Sequence, residues 1–64
     1  MKIGEKIRRL RQSKGITQKE LAGMLYVSTQ AVSKWETGKS TPNIQILPLI
    51  AELFGVSVSY FFTD

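Results

Sequence analysis

Sixty-four residues with no cysteine and no histidine leave out a disulfide framework, a thiolate zinc site and the usual general base. The acids Glu5, Glu20, Glu36, Glu52 and Asp64 are scattered, so no catalytic, metal or cofactor site is expected and an enzyme is disfavoured. All nine bases lie in the first 39 residues against three acids, a net +6, while residues 40–64 carry two acids and no base, a net −2: one face suits a polyanion, another suits protein.

Ile3, Ile7 and Leu10 recur at helical spacing among Lys6, Arg8, Arg9 and Gln12. That predicts a first helix over about residues 2–13, stopped by Gly15. Thr17-Gln18-Lys19-Glu20 reads as a capping box that opens a second helix, with Leu21, Ala22 and Leu25 on its buried stripe and its end near Leu25. Ser28 is the next N-cap, opening a third helix over about 29–37 with Val32 and Trp35 facing inward. Gly38 ends it, and Lys39 to Pro42 form a loop.

Asn43 looks like the N-cap of a fourth helix over about 44–54. Pro48 complicates this, because proline deep in a helix costs about 3 kcal/mol; the helix starts near Ile46, or its first turn is irregular. Gly55 stops it, and Ser57 is expected to cap a short last helix over about 58–62. No strand is expected, which makes the fold all-α and the chain one domain over residues 1–64. The N-terminus lacks the apolar stretch of a signal peptide, and no apolar run approaches the roughly 20 residues that span a bilayer. A cytoplasmic location is expected.

Residues 17–37 satisfy the requirements of a helix-turn-helix. The second helix is short and capped, Ala22 is small enough for two helices to cross, and Val27 anchors the chain after the turn. On the third helix Thr29, Gln30, Ser33 and Lys34 fall on the face opposite Val32 and Trp35. Four hydrogen-bonding side chains on one helix face suit a DNA major groove.

The ordered set Thr17, Gln18, Leu21, Ala22, Leu25, Val27, Ser28, then Val32, Ser33, Trp35, Glu36, Gly38 and Pro42, resembles the phage repressor/Cro-type (lambda repressor-like, XRE) helix-turn-helix family. The resemblance covers residues 7–62. It implies a compact five-helix fold and a sequence-specific DNA-binding transcription regulator, expected to be a repressor that binds a near-palindromic operator as a homodimer, with the recognition helix (about 29–37) in the major groove. Carried over residue by residue, it gives Thr29, Gln30, Ser33 and Lys34 contact with bases. It gives Gln18, Ser28, Lys39 and Ser40 contact with the DNA backbone. Arg11 and Glu36 match a structural ion pair of the family. Tyr26 departs from the pattern, standing where the family usually has glycine in the turn. If the turn is kept, Tyr26 has positive φ, and its ring offsets that strain by packing or by a phosphate hydrogen bond.

The fourth helix carries a second apolar stripe, Ile46, Leu49 and Leu53, beside its core stripe of Leu47, Ile50, Ala51 and Phe54. With Phe62 and Tyr60 it is expected to form a self-interface; the alternative is that Ile46 or Leu53 packs within the chain. An additional C-terminal domain or protein partner beyond this chain is compatible with the pattern. A rival function is a protein-interaction module that keeps the fold without binding DNA, against which stand the polar set on the third helix and the positive N-terminal half.

Overall fold

Chain order runs α1 (Ile3–Ser13), α2 (Gln18–Leu25), α3 (Thr29–Glu36), α4 (Leu47–Phe54) and a closing 3-10 helix, Val58–Phe62. These are the elements of a computed structural model that describes residues 2–63, and no strand occurs among the described residues. The fold is all-helical, as expected, with the fifth element a 3-10 helix.

The capping chemistry sets the two central helices. Thr17 Oγ1 accepts from Glu20 N at 3.0 Å and Glu20 Oε1 accepts from Thr17 N at 2.8 Å, so both halves of the capping box are made. Ser28 Oγ accepts from Ala31 N at 3.1 Å and starts α3. One core cluster then joins the elements: Ile7 of α1, Leu21, Ala22 and Leu25 of α2, Val32 and Trp35 of α3, and Leu47, Ile50, Ala51 and Phe54 of α4. Trp35 is therefore a core residue, buried with this cluster.

The C-terminal third decides one open point and departs from expectation at another. Of the two starts left open for the fourth helix, an irregular first turn from about residue 44 or a start near Ile46, the structure has the second: α4 begins at Leu47 with Ile46 as its N-cap. Asn43 does act as a cap, but of a turn: its Oδ1 accepts from Gln45 N and Ile46 N at 3.0 and 2.9 Å. This leaves Pro48 in the first turn of α4, where its missing N–H breaks no helical bond. The expected Ser57 cap is corrected. Ser57 holds the cap position with extended backbone, yet its side chain bonds no backbone amide; Ser57 Oγ and Ser59 Oγ lie 2.9 Å apart and bond each other. Five residues are too few to offset helix nucleation, and the segment takes the tighter 3-10 form. Fully buried Phe61, which joins the core, holds it in place. Burying such a ring contributes about 1.5–3 kcal/mol.

Two contacts of α1 fix the frame. Lys6 Nζ donates to the Tyr60 carbonyl at 2.8 Å and lies 4.9 Å from the Tyr60 ring centroid, tying the first helix to the last. Gly4 lies so close to the end of α3 that a Cβ there would collide with the Trp35 carbonyl and stand 3.2 Å from Glu36 Cα.

Candidate nucleic-acid interface

The α2–α3 corner is the centre of the site. Leu25 ends α2, Tyr26 turns the chain with φ 58° and ψ 40°, and Val27 N donates to Ala22 O at 3.0 Å to close the turn. Val27 packs against the core, and α3 begins two residues later. On α3, Thr29, Gln30 and Lys34 are exposed and Ser33 is half-exposed, while Val32, Trp35 and Glu36 are buried. The four side chains given to base reading thus share one outward face. α3 ends at Glu36, with Thr37 as its C-cap.

Ser28 and Gln18 flank that face. Ser28 Oγ uses a lone pair on Ala31 N, which leaves its O–H available to donate outward. Gln18 Nε2 donates at 3.0 Å to Glu36 Oε1 and keeps a second N–H to give. Lys39 and Ser40 are exposed in the loop after α3. Their backbone amides both donate to Lys34 O, at 2.9 and 3.3 Å, so the donors they can offer an anion are those of their side chains.

Beneath the face sits a buried ionic group. Arg11 Nε donates to Glu36 Oε2 at 2.7 Å and Arg11 Nη2 to Glu36 Oε1 at 3.1 Å, a two-pronged pair, while Nη1 donates to Ile16 O at 2.8 Å. The Glu36 side chain is 1% exposed and that of Arg11 12%. The hydrogen bond to Glu36 raises the Arg11 pKa above its ordinary value, against a smaller opposing effect of burial. No buried side-chain polar atom among the described residues lacks a partner. The pair therefore anchors α1 to the end of α3 and, through Glu36, to the start of α2. Sequence reasoning missed this last link, because Gln18 had been read only as an outward-facing donor.

Engaged and unengaged bases divide sharply. Lys2 and Arg9 pair with Glu5, Lys6 with the Tyr60 carbonyl, and Arg11 with Glu36. Among the described residues Arg8, Lys14, Lys19, Lys34 and Lys39 make no ion pair. Four of those five lie in or beside the helix-turn-helix, where Glu20 is taken up by Thr17 and Glu36 by Arg11 and Gln18. The local field is positive.

The second apolar stripe divides as well. Leu49, Leu53 and Phe62 are 55%, 39% and 44% exposed. Ile46 is half-buried against the core, and Tyr60 is half-buried under Lys6 with its ring edge-on to Phe61. No helix among the described residues is long and apolar enough to cross a membrane.

Tyr26 is the only non-glycine described residue with positive φ, and it is 96% exposed. A left-handed conformation costs a β-carbon residue about 1–2 kcal/mol. The alternative that packing within the chain offsets this is ruled out by the exposure of the ring.

A helix-turn-helix family model matches residues 7–61. The HTH-type transcriptional activator BcrR of Enterococcus faecalis is 47% identical over 58 residues, 91% of this chain and 28% of that protein. Endothelial differentiation-related factor 1 of Rattus norvegicus is 38% identical over 58 residues, 91% of this chain and 39% of that protein. The chain thus spans between about a quarter and two-fifths of the length of these relatives. Among solved structures, the P22 c2 repressor in complex with a synthetic operator superposes with a TM-score of 0.85 at 34% identity, over 92% of this chain and 89% of that one. The family is one of DNA-binding transcription regulators and not of enzymes. From its sequence and its fold, this chain belongs to the phage repressor-type (XRE) helix-turn-helix family.

Proposed function

We propose that this chain reads duplex DNA sequence-specifically by laying α3 in the major groove, as a cytoplasmic transcription regulator. The observation that carries the reading is the outward face of Thr29, Gln30, Ser33 and Lys34 on a helix capped at its start and pinned at its end by the Arg11–Glu36 pair. Gln30 pairs bidentately with adenine, Lys34 bonds guanine O6 and N7, and the Thr29 methyl meets a thymine methyl. Ser28, Gln18, Lys39 and Ser40 set the register on phosphates and carry no sequence information.

Two copies sit on a near-palindromic operator with their recognition helices in successive major grooves, about 34 Å apart. Leu49, Leu53 and Phe62 form the self-interface, with Ile46 supporting it from below. Repression follows where the operator overlaps a promoter. The structure of the P22 c2 repressor with its operator supports this reading by likeness of fold.

Equilibrium binding to a duplex across a salt series tests it. Lys14, Lys19, Lys34 and Lys39 give four unengaged bases per copy near the site, so log affinity against log salt falls with a slope of about −3 or steeper. A flat salt dependence contradicts DNA as the ligand and favours a protein partner.

A further inference from the structure

Resting on the DNA reading above, we infer that Tyr26 is a phosphate-contacting residue of the interface, its phenol O–H donating to the DNA backbone at the rim of the groove that receives α3. The turn between α2 and α3 holds Tyr26 in a left-handed conformation that glycine adopts at no steric cost. Among the described residues nothing compensates: Tyr26 is 96% exposed, and no hydrogen bond, ion pair or ring contact engages its side chain. Strained backbone positions cluster at binding sites, and the phenol here is free for a contact outside the chain.

Position selects the partner. Tyr26 lies two residues before Ser28, the N-cap of α3, and so within about 7 Å of it along the chain. It precedes the helix instead of lying on its base-facing side, which makes a phosphate the acceptor within reach. Of the nearest acids in sequence, Glu36 is buried and paired with Arg11, and the charge of Glu20 is outweighed by Lys14, Lys19, Lys34 and Lys39, which make no ion pair among the described residues. A phenol on a stiff arm, with two side-chain torsions to fix, would add a third neutral donor to those of Ser28 and Gln18.

The test compares wild type, Tyr26→Phe and Tyr26→Gly on a duplex enriched by the wild-type chain from a random library, and on single-base variants of it. Tyr26→Phe removes only the donor. It weakens binding about 3- to 10-fold. The loss is equal on every sequence, and the salt slope is unchanged, because a neutral donor releases no counterion. Tyr26→Gly weakens binding at least as much while its urea midpoint is no lower than wild type, so loss of fold does not explain the effect. Unchanged affinity in Tyr26→Phe overturns the phosphate contact, and unchanged affinity in both variants assigns the ring to a protein partner instead. A loss confined to particular base changes also overturns it, making Tyr26 a base reader. If wild type enriches no duplex, the DNA reading falls first and takes this inference with it.

Discussion

Lys34 and Leu49 are both exposed, but the surfaces around them differ in kind. On the outer face of α3 the exposed groups Thr29, Gln30 and Lys34 are polar or basic, and beneath that helix the apolar core is joined by the hydrogen-bonded Arg11–Glu36 pair. At the α4 end the exposed groups include the apolar Leu49, Leu53 and Phe62, and the layer beneath is Ile50, Ala51, Phe54 and Phe61. The first surface is stable in water as it stands and gains from an anion. The second leaves water in contact with apolar area, each Å² of which is worth roughly 25 cal/mol if covered. On this contrast rest the two proposals made above, DNA at the polar end and a second copy at the apolar end.

The largest loss is expected at the ionic layer. Arg11→Ala strands a buried Glu36 carboxylate and costs about 3 kcal/mol or more. That is a large share of the stability available to so small a domain. Urea denaturation checks it, and the midpoint falls at least as far as DNA affinity does. An unchanged midpoint would mean that the pair is not structural. Next in size, Gly4→Ala drives a methyl into the Trp35 carbonyl. The alanine gains about 1 kcal/mol in helix propensity, but overpacking against backbone costs about 1–3 kcal/mol, so a thermal melt records a net loss.

At the apolar end the expectation reverses. Leu49→Glu with Leu53→Glu changes monomer stability by about 0.5 kcal/mol or less per site, since neither side chain is in the core. Sedimentation equilibrium at tens of micromolar then shows a dimer lost in the double variant. A wild type that is already monomeric there removes the self-interface. The smallest effect is at the turn. Tyr26→Gly relieves about 1–2 kcal/mol of strain and returns about 0.5–1 kcal/mol through a freer unfolded chain. Its unfolding free energy therefore rises by about 1 kcal/mol or less. A fall of about 3 kcal/mol would make the ring a core element.

How far the fold was legible follows from the range of the interactions that built it. The capping box at Thr17, the cap at Ser28 and the inward Val32 and Trp35 are local in sequence, and the structure has them as read. The left-handed glycines at 15, 38 and 55 were equally plain. The start of α4 was legible only as two alternatives, because Asn43 serves a turn as readily as a helix; Pro48 pointed to the start near Ile46 that the structure has. Phe61 escaped notice because burial of one ring in a five-residue tail depends on α1 and α4 being in place. Gly4 had a signal that went unused: a glycine inside a helical pattern is costly unless a neighbour comes close. The bond from Gln18 to Glu36 had none, since it joins residues 18 apart whose proximity is created by the fold.

Selection of binding sites from a random duplex library, with wild type and Gln30→Ala in parallel, tests the central claim most directly. Wild type enriches a two-fold symmetric motif that is altered or lost with Gln30→Ala, as expected of a dimer reading through α3. No enrichment by wild type at low salt would contradict it, and would turn the polar face of α3 from a reader of bases into a surface for protein.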